Sequence, residues 1–318
     1  MSYSHLNQPL VVANVHNLVT DILANTVSFN EIMDKLNGWY YPFMNHLNSD
    51  LIYSQAVVAF FSSTQAVVGD TYPENVIWDH DKTQRFIATL SCYKNDIENE
   101  RNAFTYQESQ NKRRLRCYVN NLITHYSRLL FVRIDLKYAQ ETSHLVSLED
   151  FYCHMNKLRE LIGKTKSCFE HLQGNAWALE QGGINGGLHC HLLLMYDGSK
   201  RQNDWHIAKE VGEKWKAITG GLGEYYSYHD PERKQQYKQY GKLGIGMIHR
   251  DNPQEVENAV RSALYLTDPN KDKQRPNKDK QRPNKDKQQL KLLLPNMRTF
   301  GHGVYRTSKR RGLPPIAK

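Results

Sequence analysis

The chain has few cysteines, and they do not form a recognisable framework. Its 318 residues include five cysteines, an odd number, and no pair has the Cys-x-x-Cys spacing of a zinc module. They are Cys92, Cys117, Cys153, Cys168 and Cys190. This usage predicts reduced thiols in a cytosol and argues against a disulfide-stapled secreted domain.

Long apolar runs are also missing. No stretch approaches the ~18 consecutive apolar residues of a membrane-spanning helix. The first residues, MSYSHLNQPL, lack the basic flank and apolar centre of a secretory signal. We therefore expect a soluble cytoplasmic protein with no membrane partner.

Acidic residues are outnumbered by basic ones. The chain has 42 Lys and Arg against 33 Asp and Glu, a formal net charge of +9 and an isoelectric point of about 9.1. This balance favours a polyanionic partner, nucleic acid before membrane, although charge alone is weak evidence. The basic run from Lys112 to Arg116 is better explained as an exposed helix face than as a dedicated DNA contact.

The most informative stretch is AWALEQGGINGGLHCHLLLMY, residues 176–196. Two apolar runs flank a glycine-rich turn, which predicts a β-hairpin. Side chains alternate along a strand, so His189 and His191 share one face while the leucines between and around them face a core. If the strands pair symmetrically, Glu180 lies opposite His189. Two imidazoles and one carboxylate predict a divalent-cation site, and ligand type alone does not choose between zinc, manganese and magnesium.

The rest of the pattern predicts an α+β protein. Residues 1–125 are expected to form a mainly helical accessory region, with the apolar run 55–68 compatible with either strand or helix. From residue 129, LLFVRIDLKY alternates as a strand with one buried face. The following order, β-α-β-β-α-β-β-α, predicts a central antiparallel sheet with helices on one face, in a domain spanning 126–306. A basic tail, 307–318, follows.

Three helix starts are predicted from capping residues. Ser147, with Asp150 three residues later, predicts one start, and Asp204 predicts another. Asn252 followed by proline predicts the start of the last helix.

The last helix presents a tyrosine away from its apolar stripe. At ~100° per residue, Tyr265 lies nearly opposite Val256, beside Arg261 and Asn258 on the polar side. A surface or half-buried tyrosine is the ordinary explanation. Next to a metal-binding hairpin, however, a phenol is also a candidate nucleophile. Three other tyrosines compete for that role: Tyr225, Tyr226 and Tyr228.

A lysine-rich repeat follows the last helix. PNKDKQR, PNKDKQR and PNKDKQQ occupy residues 269–289, and the units contain no apolar residue. A coiled coil is excluded because each unit begins with proline. The composition predicts a disordered, solvated insertion without a role of its own, with weak phosphate attraction as the second interpretation.

The hairpin also supports a family resemblance. LHCHLLL resembles the His-hydrophobe-His signature of HUH endonucleases. The blocks WALEQGG, GGLHCHLLLMYDGS, AKEVGEKWKAITGGLGEYY, GIGMI, ALYLT and RTFGHG occur in order. Together they resemble the replication proteins of filamentous phages (inovirus type) and the YagK/YfjJ-like proteins of enterobacterial prophages. The resemblance covers about 129–303.

The resemblance implies a fold and a reaction. The sheet would be RRM-like with the metal site on its uncovered face, and the metal would be Mg²⁺ or Mn²⁺. Tyr265, in ALYLT, would attack single-stranded or melted origin DNA in the bacterial cytoplasm, giving a 5′-phosphotyrosyl enzyme and a 3′-hydroxyl that primes rolling-circle replication. Host replication proteins would be possible partners. Arg261 and Lys271 are the nearby cations in sequence that could assist the tyrosine.

One departure from that family leaves alternatives open. Relatives typically have lysine three residues after the tyrosine, where this chain has Asp268. An acid there would oppose phenolate formation, although Lys271 could substitute. A relaxase or transposase with the same site, or an impaired enzyme that binds origin DNA as a repressor, therefore remain alternative predictions.

Overall fold

The computed structural model describes residues 7–182, 187–268 and 289–305. Nine helices occur in these ranges: α1 Gln8–Leu23, α2 Phe29–His46, α3 Gln55–Val68, α4 His80–Ser91, α5 Lys94–His125, α6 Leu148–Lys164, α7 Asp204–Ile218, α8 Pro231–Gln239 and α9 Pro253–Leu264. The strands there are β1 Ile52–Tyr53, β2 Arg128–Tyr138, β3 Leu172–Gly182, β4 Gly187–Asp197, β5 Gly223–Ser227, β6 Gly246–His249, β7 Leu292–Leu293 and β8 Phe300–His302.

Three predicted features fall outside the described residues. They are Lys271, nearly all of the repeat 269–289, and the basic tail 307–318. The middle of the glycine-rich turn, 183–186, also lies outside. Within the ranges that the structure covers, every helix is too short or too polar to cross a bilayer.

The centre of the molecule is a six-stranded antiparallel sheet in the order β5-β2-β4-β3-β8. The long strand β2 has β4 on one side, while β5 and β6 share its other side. The hairpin β3–β4 supplies two central strands, and both are rich in apolar residues because both sheet faces are largely covered. The predicted α+β class with a central antiparallel sheet is therefore confirmed.

The helices lie on both faces of the sheet, which corrects the prediction of a single covered face. One face packs with α6, α7 and the N-terminal helices in a large core. On the other face, the C-terminal half of α5 and the helix α9 form a second core with β2, β3 and β4. The alternation in β2 did not show this, because Phe131 and Arg133 on one face are buried, as are Val132 and Ile134 on the other. The finer comparison with an RRM-like sheet stays a prediction.

The helix starts agree with the capping chemistry at two of three places. Ser147 and Asp150 form a reciprocal capping box, and Asn252 caps α9 with proline at its first position. The prediction for α7 was wrong by one residue: Asn203 is the N-cap, and Asp204 is the first helical residue. The carboxylate of Asp204 instead bonds to the side chains of His229 and Lys234.

The N-terminal region is mainly helical, as predicted, and the ambiguous run 55–68 is the helix α3. Its apolar residues join the same core as the sheet and α6. A short ladder, β1 with β7, ties this region to the segment that follows the repeat. The proposed domain boundary at residue 125 stays a prediction, and buried contacts cross it.

Candidate functional site

The hairpin register places the predicted ligands together. Glu180 pairs directly with His189 across the β3–β4 ladder, as the sequence predicted. His191, two residues further along β4, pairs on its other side with Asp135 of β2. Because directly paired residues point to the same face of a sheet, these four side chains converge on the face shared with α9.

Three ligand atoms from these side chains lie within 4.8 Å of one another. Oε2 of Glu180 is 3.3 Å from Nε2 of His191 and 3.6 Å from Nε2 of His189. Two atoms that each bind one ion at 2.0–2.2 Å stand ~3–3.5 Å apart, so both separations suit a shared cation. Glu180 and His191 are buried, whereas the side chain of His189 is 24% exposed and forms the accessible edge.

The opposite nitrogens of both imidazoles are held by acceptors. Nδ1 of His191 lies 2.5 Å from Oδ1 of Asp135, and Nδ1 of His189 lies 3.2 Å from the carbonyl oxygen of Gly187. In the neutral tautomer that donates from Nδ1 to these acceptors, each Nε2 has a lone pair available for a cation beside Glu180. Such partners fix the tautomer and raise the basicity of metal-binding histidines, so the donor set fits a divalent cation.

The pKa values of this cluster reflect dense charge in a buried place. Burial disfavours the imidazolium of His191, but the carboxylates of Asp135 and Glu180 outweigh burial and raise its pKa. Burial likewise disfavours the carboxylate of Asp135, yet His191 and Arg133 outweigh burial and hold its pKa well below the usual range. The charges of Asp135 and His191 therefore stabilise each other. Asp135 stays ionised beside His191, the imidazole that it orients.

Tyr265 lies beside the cluster, as the proposed nucleophile must. It follows the last residue of α9 and begins a short 3₁₀ turn. Its ring meets that of His191 edge-on, with 6.0 Å between centroids. The helix reaches this position because alanines at 176 and 178 leave room on the sheet for Ala263 and Leu264.

A buried arginine connects Tyr265 to a second tyrosine. The guanidinium carbon of Arg133 lies 4.2 Å from the ring centroid of Tyr265 and 4.4 Å from that of Tyr228. Arg133 comes from β2, two residues before Asp135, so both charged side chains share the face that holds the ligands. Desolvated cation–π contacts of this kind are worth ~2 kcal/mol.

The three competing tyrosines occupy different surroundings. The hydroxyl of Tyr228 donates to Oδ2 of Asp135 at 2.6 Å, and burial raises its pKa far above the ordinary value, which disfavours a phenolate. Tyr225 packs over Gly212 on the opposite face and donates to Glu213. Tyr226 shares the site face, where its ring contacts that of Tyr228. Among the ring contacts of the described residues, Tyr265 is the tyrosine that meets the ring of His191.

Of the two predicted assisting cations, one lies within the described residues. Arg261 lines the same cavity as Tyr265 but forms an exposed ion pair with Glu257 at 2.8 Å. Lys271 lies outside the described residues. Asp268 is buried at the end of the turn that begins with Tyr265.

A hydrogen-bond network holds the backbone of Arg133 in place. Nε2 of the buried His229 accepts a hydrogen bond from the backbone N–H of Arg133 at 2.9 Å, and Nδ1 donates to Asp204 at 2.6 Å. Lys234 also donates to Asp204 at 2.6 Å. Burial of Asp204 is outweighed by these two donors, so its pKa falls to about 2.

Sequence reasoning missed Arg133 and Asp135 as site residues. A signal was present, because two charged residues on one face of an otherwise apolar strand are unusual in a buried sheet. What the sequence could not supply was the register that sets Asp135 opposite His191.

Fold and site together define a class: an α+β protein with a His-His-Glu cluster at metal-ligand spacing on a central antiparallel sheet, next to a tyrosine at the end of a helix. The chain belongs to the YagK/YfjJ C-terminal domain family, whose match covers residues 93–278. No curated protein matches the chain. No solved structure matches it either.

Proposed function

We propose that the protein is a replication initiator of the HUH type that nicks single-stranded or locally melted origin DNA in the cytoplasm of a bacterial host. Tyr265 is the nucleophile, and Glu180, His189 and His191 hold a divalent cation, Mg²⁺ or Mn²⁺. The reaction is a transesterification that conserves the energy of the broken phosphodiester. Host replication proteins would extend the strand that it leaves behind.

The observation that supports this proposal most directly is the contact between the rings of Tyr265 and His191, at 6.0 Å between centroids. It brings a phenol and a three-ligand cluster, contributed by separate elements, to one place on the sheet. A tyrosine that only fills space does not require a cluster of metal-ligating side chains beside it. A histidine with a purely structural role does not require a second imidazole and a carboxylate at the spacing of metal ligands. Their juxtaposition suits attack on a phosphodiester.

The residues divide the chemistry between them. The phenolic oxygen of Tyr265 attacks phosphorus and loses its proton, the bond from phosphorus to the 3′-oxygen breaks, and that oxygen leaves as a 3′-hydroxyl. The guanidinium of Arg133, 4.2 Å from the ring centroid, favours the developing phenolate. A cation bound by Glu180, His189 and His191 would stabilise the charge that builds on the non-bridging oxygens.

The test is formation of a covalent protein–DNA adduct. The full chain is incubated with a tiled set of single-stranded oligonucleotides covering the DNA that flanks the coding sequence, with Mn²⁺ or with EDTA. We expect an SDS-resistant adduct that requires Mn²⁺, with mass spectrometry mapping the nucleotide to the peptide containing Tyr265. The variant Tyr265→Phe should form no adduct.

Tyr228→Phe is the matched control, because it removes a hydroxyl from the same site without removing the proposed nucleophile. It should still form the adduct, at a reduced rate since Asp135 loses a donor. An adduct that persists in Tyr265→Phe would transfer the role to another tyrosine. No adduct with any strand would contradict the nickase.

A second candidate is a DNA-binding repressor with the same fold. It is favoured by Asp268, a buried acid in the turn that holds Tyr265, where an acid opposes phenolate formation and repels phosphate. Tight binding of one tiled oligonucleotide without cleavage would support it. A relaxase or transposase would share the adduct and differ in joining it to a second strand.

A further inference from the structure

A cavity of about 170 Å³ lies beside Tyr265, on the side away from the metal-ligand cluster. Its wall is formed by β2, the residue after β5, α8, the segment between α8 and β6, and α9 with the turn that follows it. It contains three cationic side chains and three tyrosines: Arg133, Lys242, Arg261, Tyr228, Tyr237 and Tyr265. No carboxylate is among the described residues that line it.

The deepest of these cations is Arg133, which has the carboxylate of Asp135 nearby on the same strand but makes no direct ion pair with it. The residue is 8% exposed. Within the described ranges, no carboxylate oxygen lies within 4.0 Å of its guanidinium, and its buried Nε has no hydrogen-bond partner. Burial removes hydration from the guanidinium, and the nearby carboxylate of Asp135 offsets this loss only at a distance. An anion bound in the cavity would give Arg133 the direct partner that no described carboxylate supplies.

The groups around the guanidinium of Arg133 determine from which direction an anion can bind it. The rings of Tyr228 and Tyr265 flank it at 4.4 and 4.2 Å from its central carbon. A ligand must therefore approach the remaining N–H edge, which faces the cavity. Donors in one plane along an edge match two oxygens of a phosphate, the geometry for which arginine is preferred over lysine.

The other two cations lie at the mouth of the cavity, where a polyanion would pass. Lys242 is exposed. Arg261 is paired with Glu257, but both side chains are at least half exposed, and surface pairs of this kind are worth only ~0–1 kcal/mol. Either side chain can therefore turn toward a bound phosphate at little cost.

We propose that this cavity, the arginine pocket, binds a backbone phosphate of single-stranded DNA next to the one that is cut. This inference rests on the proposed function. Tyr265 separates the two places: its ring contacts His191 on one side and Arg133 on the other. A strand crossing Tyr265 would place one phosphate at the metal-ligand cluster and a neighbouring phosphate at Arg133.

The test measures binding without cleavage. Fluorescein-labelled oligothymidylate of 20 nucleotides is titrated with the full chain in EDTA, and fluorescence anisotropy gives Kd at several salt concentrations. Arg133→Gln should weaken binding about tenfold, the equivalent of ~1.4 kcal/mol. It should also reduce the slope of log Kd against log salt by about 0.7, the value for one phosphate contact on a single strand.

Two further variants separate ligand binding from folding. Lys242→Gln changes an exposed side chain, so it should leave the melting temperature unchanged and still weaken binding two- to fivefold. The matched control is Arg159→Gln, which removes another arginine held over an aromatic ring, 4.8 Å from Trp177, on the opposite face of the sheet. It should bind DNA like the wild type.

The pocket is refuted if Arg133→Gln binds like the wild type, or if it loses affinity with an unchanged salt slope. Equal losses in Arg133→Gln and Arg159→Gln would also refute it. These outcomes differ from a failure of the proposed function, because EDTA removes any cation and the assay needs no nicking. A working pocket without a Tyr265 adduct would leave a DNA-binding protein that does not cut.

Discussion

At the scale of single residues, Asp135 is the side chain on which the ligand cluster depends. Its carboxylate accepts from Nδ1 of His191 and from the hydroxyl of Tyr228. One residue thus orients a ligand and restrains the neighbouring tyrosine. Partners of this kind typically change metal affinity 10- to 100-fold when removed.

Asp135→Asn should therefore weaken Mn²⁺ binding ~10- to 100-fold, because the amide cannot stabilise the donating imidazole as a carboxylate does. Isothermal titration of the full chain with MnCl₂ measures the change. Lys137→Gln is the control: it lies on the same strand but is exposed and pairs only with Glu224. Wild-type affinity in Asp135→Asn would show that the carboxylate does not orient His191.

Asp204 makes a pH-dependent contribution to stability. Its pKa is about 2 in the folded protein and 3.8 ordinarily, since His229 and Lys234 stabilise the carboxylate. The stabilisation is complete above pH 3.8 and is lost as pH falls toward 2, because protonation then costs the folded state more than the unfolded state. Its magnitude is about 1–2 kcal/mol.

Asp204→Asn should accordingly be less stable than the wild type at pH 7, with the gap closing between pH 4 and pH 2. Urea denaturation across that range gives the free energy of unfolding at each pH. Asp251→Asn, whose side chain is 88% exposed, should show no such difference. A gap that stays constant down to pH 2 would contradict the assignment.

At the scale of elements, the sequence was sufficient wherever a period and a cap agreed. The helices α6 and α9 were found this way, the hairpin was found from alternation on both sides of a glycine-rich turn, and the pairing of Glu180 with His189 followed from the symmetry of the hairpin. The helix α8 was missed because PERKQQYKQ has no apolar stripe, although Asp230 before proline was an available start signal. Arg133 was missed because alternation along β2 shows which residues share a face of the sheet. It does not show whether helices cover that face.

The placement of α9 depends on a glycine that the sequence pattern could not interpret. A Cβ at Gly244 would lie 2.1 Å from the backbone oxygen of Asn258. The segment before β6 therefore touches the α9 backbone directly, which fixes the distance between that helix and the sheet edge. Tyr265, one residue beyond α9, takes its position from this contact.

Gly244→Ala should cost about 1–3 kcal/mol of stability, since neither backbone can give way cheaply. It should also slow adduct formation by moving Tyr265. Gly163→Ala is the matched control, because a Cβ there meets nothing within 4 Å and the position is helical. That variant should be unchanged or up to ~1 kcal/mol more stable. Urea denaturation gives the free energy of unfolding of both variants. Equal stability would show that the segment before β6 does not need the close contact with α9.

At the scale of the whole molecule, the hairpin is joined to two distant parts of the chain by one buried side chain. Nε2 of Gln181 donates to the carbonyl oxygen of Pro9, and its Oε1 accepts from the backbone N–H of Lys291. The N-terminal helices and the segment after the repeat therefore meet next to Glu180. The sequence predicted an accessory region and gave no sign of this junction, because a lone glutamine has no periodicity.

Gln181→Ala should lower the free energy of unfolding by roughly 2–4 kcal/mol, since two buried backbone groups lose their partners at about 1–3 kcal/mol each. Thermal and urea melts of the full chain measure the loss. Gln235→Ala, at an exposed helical position in α8, should stay within about 0.5 kcal/mol of the wild type. A neutral Gln181→Ala would mean that the N-terminal helices are held by apolar packing alone.

The hairpin supplies all three proposed metal ligands from one short, local piece of chain, whereas the phenol of Tyr265 comes from a remote helix that must dock on the sheet. During folding, the cation site can therefore form before the tyrosine reaches it. On the proposed function, a partly folded molecule would bind metal without being able to attack DNA, and strand scission would require a molecule whose second core is complete.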